Sequence, residues 1–542
     1  MTGKIHKKAN LIFCTVILLI LVCCILLIAH LKQSNSFFTR NVTLDTNTGM
    51  TKEQRIDDFE LLCEHIESNI PTLYSYESLY GIGYDETKAY FKAKVENADS
   101  DIEYYSLLKG FLNNIPSCHL SVGFPMLSSI DEDFSKHLSK NDSFVNAQNY
   151  WFETIHNECK NYYDEDITQM IFAYYSGKYL GIAEDIDNDI YSINKAELLT
   201  VNGVGIDEFV KLNSLSGKLK YDHVNNKPFR DVVIFNNVCG EECTVEYINE
   251  NGEKREEKMY YGANSNTIIS YIDFFKFVDG LSSETDDITS PKTDCVKVGD
   301  LNIYKSKEKD LLLVKINQFL SPESPPEVIE NTIIQYSKDV SNVIIDISSN
   351  KGGYYEYAKA VLGAISDKDI QTESEVYITK DFYMRINNKR LYKFDKESGL
   401  YRTFYSESIE GKAPERKNVC LIISDSTGSS ADNLAWEFKR NGLGTVIGTN
   451  NSGGERDGTI CMNYNDISGI YYTYTAYAAK NPSGQFSSVE GMAPDIYVEQ
   501  PIEAYFMREE IKRIGEDPYR IENRLKWDNV LVKAIEMIGE NN

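Results

Sequence analysis

The sequence is poor in histidine and proline, with seven and 13 residues respectively among 542. The scarcity of proline, beside 37 tyrosines, argues against long linkers and favours well-packed, strand-rich structure. The scarcity of histidine limits the candidate metal ligands and catalytic bases. No H-E-x-x-H zinc motif and no phosphate-binding loop occurs in the sequence. The sequence therefore implies neither a metal nor an organic cofactor.

A positive net charge is also missing. The chain has 82 Asp and Glu against 56 Lys and Arg, a net charge of -26 at pH 7. A chain this acidic is not expected to bind nucleic acid or anionic lipid. Its 42% of hydrophobic and 25% of charged residues are typical of globular proteins, and its length predicts two to four domains.

One long apolar run lies near the N-terminus, from Leu11 to Ala29, and its nineteen uncharged residues are enough to cross a bilayer. Three lysines precede the run, whereas only Lys32 follows it closely. This charge pattern predicts a transmembrane anchor with a cytoplasmic N-terminus and the rest of the chain outside the cytoplasm. A cleaved signal peptide is the alternative, although no A-x-A cleavage site follows the run.

Eleven cysteines are present, three of them in the apolar run. The other eight could form disulfides in an oxidising compartment, and the sequence leaves their pairing open. These eight are Cys63, Cys118, Cys159, Cys239, Cys243, Cys295, Cys420 and Cys461.

The patterns of apolar and turn residues divide the chain into five segments. They are a tail and anchor (1–32), a polar stalk (33–50), a helical cap region (51–135), a small β-domain (140–265) and an α/β domain with C-terminal helices (300–542). In the last segment, apolar runs such as LLLVKI and NVIIDI alternate with helical patterns. Continuous apolar strands of this kind are typical of sheets covered by helices on both faces, so an α/β fold is predicted.

Two turns rich in small residues follow predicted strands of the α/β domain. Residues 348–353 read SSNKGG, and residues 425–431 read DSTGSSA before a helix. Open α/β sheets place ligands at the carboxyl ends of their strands, and a helix N-terminus offers unpaired N–H groups to an oxyanion. Ser429 could therefore act as a nucleophile. The alternative is that Ser429 or Ser430 only caps the helix.

A serine nucleophile needs a base, and the histidine positions restrict the choice. No histidine follows Ser429 or lies within the 200 residues before it. Any histidine base must therefore come from the N-terminal part of the chain. His119, just after the helical cap region, is one candidate; an ordinary structural histidine is the alternative.

Four segments, in order, resemble motifs of the tail-specific (C-terminal processing) serine proteases, especially the tricorn-like branch that includes interphotoreceptor retinoid-binding protein. They are CHLSV, NVIIDISSNKGG, the stretch from ISDSTGSSADNLAWEF to VIGTNNSGG, and SSVEGMAPDIYV. The resemblance runs from about Thr51 to Ile538. It implies a crotonase-like α/β core and, in the middle segment, a PDZ-like domain that receives a peptide as an added strand.

The resemblance also implies roles for individual residues. Ser429 matches the nucleophile, His119 the general base and Glu490 the acid that positions the base. Gly352 or Gly353, with the N–H of Ser430, matches the oxyanion hole. The substrate would be a peptide or protein, with no metal.

The sequence departs from the family pattern in three places. The turn at residues 449–456 lacks the lysine of the Ser–Lys branch, which leaves Lys480 as a remote substitute and favours histidine as the base. Cys118 precedes His119 where tricorn-like members can have serine, and Ser348 replaces the usual arginine. We therefore expect a membrane-anchored extracytoplasmic serine peptidase. An inactive peptide- or apolar-ligand-binding protein on the same scaffold is the alternative, and an adhesive ectodomain a third hypothesis.

Overall fold

The computed structural model describes residues 40–540, apart from internal gaps. These are at 118, 127–131, 163–168, 186–189, 213–216, 237–240, 262–294, 299–300, 307–309, 321–323, 387, 451–459, 482–483 and 519. Within the described chain, no helix combines the length and the apolar character needed to cross a membrane. The predicted anchor, Leu11–Ala29, lies outside the described residues.

A seven-stranded sheet forms the centre of the α/β domain. In spatial order its strands are Cys295–Val298, Leu301–Ser306, Leu311–Ile316, Asn342–Asp346, Asn418–Ile423, Gly444–Gly448 and Ile496–Tyr497. The first three pair antiparallel, and the remaining pairs are parallel. The mixed α/β fold predicted from the sequence is confirmed.

Helices cover both faces of this sheet. Neighbouring residues of each strand point to opposite faces, and each face packs against its own set of helices. Val343 and Ile345 pack with one set of helices, Pro326–Ser337, Tyr355–Ile365 and Ser430–Arg440. Ile344 packs with the C-terminal set, Ile502–Arg513, Ile521–Trp527 and Asn529–Glu540. Burial on both faces explains why these strands read as continuous apolar runs.

Two smaller sheets flank the central one. The four-stranded sheet has the spatial order Lys393–Phe394, Tyr401–Ile409, Ile370–Ile378 and Ala478–Lys480, with the short helices Lys380–Arg385 and Lys389–Leu391 beside it. The three-stranded sheet consists of Ser121–Val122, Tyr471–Tyr474 and Cys461–Tyr464. Its first strand comes from the N-terminal region and the other two from the α/β domain.

The N-terminal region is helical, as its apolar spacing predicts. Its helices are Lys52–Asn69, Glu77–Tyr80, Tyr84–Val95, Asp101–Asn113, Glu132–Leu138 and Asp142–Tyr162. The first begins with a capping box, in which Thr51 and Gln54 satisfy each other's backbone N–H groups. The last lies within the range predicted for the β-domain. Phe144, Ala147 and Trp151, three or four residues apart, bury its apolar side against the helical region and the three-stranded sheet.

The small β-domain begins at Gln169. Its strands are Gln169–Tyr175, Lys178–Asp185, Ile190–Val201, Val204–Gly205, Val232–Asn236, Glu241–Ile248 and Lys254–Tyr261, with one helix, Ile206–Leu212. All described pairings are antiparallel, and Lys178–Asp185 pairs with both Gln169–Tyr175 and Ile190–Val201, which closes six of the strands into a ring. A separate two-stranded hairpin pairs Lys220–Asp222 with Lys227–Phe229.

Candidate active site

Ser429 lies between the strand Asn418–Ile423 and the helix Ser430–Arg440, in a backbone conformation that serine rarely adopts. Its φ is 54° and its ψ is -122°, and its side chain makes no capping hydrogen bond to the helix. Positive φ costs energy in a non-glycine residue and concentrates at functional sites. A strained serine between a strand and a helix is the arrangement of a nucleophile elbow, and simple helix capping does not describe it.

Gly352 packs directly against this serine. Its φ is 100°, and a Cβ atom placed on it would lie 2.6 Å from the Cβ of Ser429, 2.7 Å from the carbonyl oxygen of Gly428 and 2.9 Å from the nitrogen of Ser430. Both the conformation and the contact require glycine. The two small-residue turns predicted from the sequence therefore meet at Ser429.

Hydrogen bonds hold these two turns together, and we refer to residues 346–353 as the glycine turn and residues 424–430 as the serine turn. The Thr427 hydroxyl donates to the carbonyl of Ile347 at 2.9 Å. The Gly428 N–H donates to the carbonyl of Asn350 at 3.2 Å. The Ser430 hydroxyl donates to the carbonyl of Gly353. All three donors belong to the serine turn and all three acceptors to the glycine turn. The two turns therefore hold each other in place.

The two glycines differ in their capacity to stabilise an oxyanion. The N–H of Gly352 donates to Oδ1 of the fully buried Asn350 at 2.8 Å, so this donor is already used inside the turn. The N–H of Gly353, on the same turn, and that of Ser430, in the first turn of its helix, fit the role better. Backbone donors held this rigidly need little reorganisation as charge develops.

His119 is brought to the α/β domain by strand pairing. The strand Ser121–Val122 pairs with Tyr471–Tyr474, and the carbonyl oxygen of His119 accepts a hydrogen bond from the hydroxyl of Thr473 at 2.6 Å. Like Ser429, His119 has a positive φ, 59°. Burial, and secondarily the charge of Lys218, lowers the pKa of His119 to about 4. The imidazole is therefore neutral at pH 7, the state a general base requires.

Glu490 lies at the end of the short helix Ser487–Glu490. Its carboxylate accepts a hydrogen bond from Asn481, and its carbonyl oxygen is 2.7 Å from Nε2 of His223. Among the described residues, no hydrogen bond joins His119 to Ser429 or to Glu490. Catalytic hydrogen bonds are often loose before substrate binds. The structure thus places Gly352 directly against Ser429, whereas His119 and Glu490 lie on separate elements and no described hydrogen bond joins either of them to Ser429.

Sequence reasoning missed the role of the hairpin 220–229. Lys220 forms ion pairs with Asp231 at 2.9 Å and with Asp425 of the serine turn at 3.1 Å, and His223 contacts Glu490. Burial would lower the pKa of Lys220, but the two carboxylates outweigh it and raise the pKa above its ordinary value. His223 is one of the seven histidines, but no local sequence pattern links it to Glu490, 267 positions away.

Lys480, the substitute base considered from the sequence, has its ammonium over the rings of Tyr377 and Phe486, at 4.6 and 5.4 Å from their centroids. The contacts described for it are thus aromatic. Cys118 and most of the turn at 449–456 lie outside the described residues. No group of three potential metal ligands occurs in the part of the chain that is described.

A strained serine at a helix N-terminus, beside a glycine turn at the carboxyl ends of parallel strands, defines the class of α/β serine hydrolases. The comparison with protein families specifies this further. Residues 310–498 match the model of peptidase family S41. This segment is therefore a serine peptidase domain of family S41.

Solved structures of similar proteins share little sequence with this chain. Mature CPAF in complex with lactacystin is 14% identical, with coverage of 90% of this chain and 99% of that chain and a TM-score of 0.45. The photosystem II D1 C-terminal processing protease is 13% identical, with 83% and 95% coverage and a TM-score of 0.36. Tricorn protease is 14% identical, with 81% and 37% coverage and a TM-score of 0.27. No curated protein matches the chain.

Proposed function

We propose that this chain is a membrane-anchored, extracytoplasmic processing endopeptidase that cleaves peptide bonds by acyl transfer through Ser429. The observation that carries the proposal is the strained Ser429 against the backbone of Gly352. The positive φ of Ser429 and the presence of a glycine at position 352 both cost stability. Their coincidence at one serine fits a nucleophile better than a helix cap.

In the proposed mechanism, neutral His119 removes the proton from the Ser429 hydroxyl as the oxygen attacks the peptide carbonyl. The resulting oxyanion accepts hydrogen bonds from the N–H groups of Gly353 and Ser430. His119 then protonates the leaving amine, and water releases the acyl group. Glu490 would orient the imidazole, which requires closure from its present bond with Asn481.

The remaining parts of the proposal concern the substrate and the membrane. The small β-domain would act as a PDZ-like module and receive a peptide as an added strand beside Val204–Gly205, the strand at one end of its sheet order. The apolar run Leu11–Ala29 would hold the peptidase at the membrane, with the domains outside the cytoplasm.

A fluorophosphonate probe tests the nucleophile. We expect the intact chain to be labelled on the peptide that contains Ser429, and Ser429→Ala to lose both the label and hydrolysis of an unfolded protein substrate. Ser426→Ala, in the same turn, is the matched control and should label normally. Labelling of Ser429→Ala at the wild-type level would refute the proposal.

The alternative function is a peptide-binding protein without activity. Two observations favour it: His119 has no described hydrogen bond to Ser429, and Ser348 occupies the position of the family's arginine. This alternative predicts a folded chain that the probe does not label and that binds peptides with the same affinity before and after Ser429→Ala.

A further inference from the structure

The segment 380–405 reverses the acidic character of the rest of the chain. It contains seven Lys and Arg against three Asp and Glu, so its net charge is +4 in a protein whose net charge is -26. Six of its seven cations make no ion pair with any described residue; they are Lys380, Arg385, Lys389, Arg390, Lys393 and Lys396, whereas Arg402 pairs with Glu375. The acidic composition of the whole chain therefore hides one locally basic surface.

Large apolar side chains protrude among these cations. Met384 is 58% exposed, Leu391 59% and Phe394 52%, and Tyr405, on the same face of the adjoining strand pair as Phe394, is 45% exposed. Exposed apolar residues are ordinary when scattered singly, but a group of four within one short segment indicates an interaction site. We call these four residues, with Lys380, Lys389, Arg390 and Lys396, the basic–aromatic surface.

Ring contacts keep this surface in one shape. Tyr383 stacks on Tyr401 with ring centroids 3.7 Å apart, and Phe394 lies 5.3 Å from the same ring. The ammonium of Lys389 lies 5.8 Å from the centroid of Tyr383. The helix Lys380–Arg385 and the paired strands Lys393–Phe394 and Tyr401–Ile409 are thereby joined. The exposed side chains thus project from an ordered support.

Cations interleaved with exposed aromatic and aliphatic side chains match the interface of an anionic bilayer. Lys and Arg interact with lipid phosphates while their stems and the apolar residues lie at the level of the headgroups. We propose that the basic–aromatic surface rests on the anionic headgroups of the membrane to which the apolar run anchors the chain, an inference that rests on the anchor of the proposed function.

The length of the connecting chain agrees with this placement. Ten residues separate Ala29 from Arg40, the first described residue, and a chain of that length spans at most about 35 Å when fully extended. A body tethered this closely to a bilayer samples its surface continually. A basic–aromatic surface would select one orientation from those that the tether allows.

Hydrogen exchange of the full chain in lipid nanodiscs tests the inference. We expect amides of residues 380–405 to exchange more slowly in phosphatidylglycerol discs than in phosphatidylcholine discs. The triple change Lys389→Glu, Arg390→Glu and Lys396→Glu should abolish the difference, because reversing three charges weakens contact with an anionic surface by at least about tenfold. The pair Leu391→Ser and Phe394→Ser should reduce it.

The control variant carries the same change of charge elsewhere, as Lys52→Glu, Lys140→Glu and Arg416→Glu, and should keep the wild-type difference. Equal exchange in both kinds of disc overturns the inference and leaves an acidic protein as the partner of this surface. A chain that does not copurify with discs at all refutes the anchor. Hydrolysis of a soluble peptide in detergent should be the same for all variants, which separates this test from that of the nucleophile.

Discussion

At the scale of single residues, the site depends on backbone conformations that side chains normally prevent. Ser429 and His119 both have positive φ, and Gly352 allows the glycine turn to touch Ser429 because it has no Cβ. Surrounding structure must compensate for strain of about 1–3 kcal/mol per residue. Two substitutions test the site and leave the reacting groups unchanged. Gly352 tests the contact with Ser429, and Lys218 tests the charge beside His119.

Gly352→Ala should reduce kcat/KM by at least about 100-fold, because its Cβ would meet the Cβ of Ser429 at 2.6 Å and displace an oxyanion donor. Steady-state kinetics on a peptide substrate, with circular dichroism to verify folding, measure this effect. Gly442→Ala is the matched control: its φ is also positive, 59°, and nothing lies within 4 Å of the added atom. Comparable activity in both variants would contradict the role given to Gly352.

The lowered pKa of His119 makes a prediction about pH. The base is active when neutral, so activity should fall only as the pH drops through about 4, not through the ordinary value of 6.5. Lys218→Met removes a positive charge that disfavours the imidazolium, so the pKa and the acid limb of kcat/KM should both move upward. Lys218→Arg should leave the limb in place. An acid limb near 6.5 in the unchanged chain would show that His119 is not the base in this environment.

At the scale of elements, the C-terminal helix Ile521–Trp527 supports the glycine turn through buried charge. Arg524 forms ion pairs with Asp346 and, at 2.6 Å, with Asp528. The other oxygen of Asp346 accepts hydrogen bonds from the N–H and the hydroxyl of Ser348. Burial alone would raise the pKa of Asp346, but Arg524 and then Lys315 lower it below its ordinary value. The carboxylate thus connects a distant helix to the start of the glycine turn.

Arg524→Met should lower the free energy of unfolding by ~3–5 kcal/mol, because Asp346 and Asp528 would lose their guanidinium partner while remaining buried. Urea denaturation of the intact chain measures this change. In a double-mutant cycle, Asp346→Asn should cost much less in the Arg524→Met background than in the unchanged chain. Additive effects of the two substitutions would mean that the ion pair does not couple these elements.

At the scale of the whole molecule, the N-terminal helices and the α/β domain share a buried polar contact. The carboxylate of Asp58 accepts hydrogen bonds from the hydroxyl of Tyr104, the side chain of Asn465 and the N–H of Ser468. Burial raises the pKa of Asp58. The same region delivers His119 to the strand Tyr471–Tyr474. Docking of the helices and assembly of the site should therefore be coupled.

Asp58→Ala should destabilise this docking by on the order of 3 kcal/mol, because three buried donors lose their acceptor. We expect a lower midpoint of thermal unfolding, faster proteolysis of the N-terminal helices, and a reduced kcat/KM. Asp57→Ala, at the exposed neighbouring position, is the control and should change none of these. Loss of stability with full activity would separate docking from the site.

Part of this protein could be predicted from local patterns alone. Continuous apolar runs such as NVIIDI indicate strands buried on both faces, and the spacing in Lys52–Asn69 indicates a helix. The small-residue turns before Gly353 and Ala431 indicate a site at the ends of parallel strands. Each of these follows from residues close together in the sequence, where strand and helix periodicity act.

Only the tertiary structure decided which distant residues meet. The closure of the β-domain into a ring, the pairing of Ser121–Val122 with Tyr471–Tyr474, and the contacts of Lys220 and His223 with the site join residues up to hundreds of positions apart. Composition also concealed the basic–aromatic surface, since net charge averages over the whole chain. Contacts of this kind depend on packing between elements, which local periodicity does not encode. The sequence by itself therefore determined the strands and helices of the α/β domain and its small-residue turns, and folding determined which of them meet.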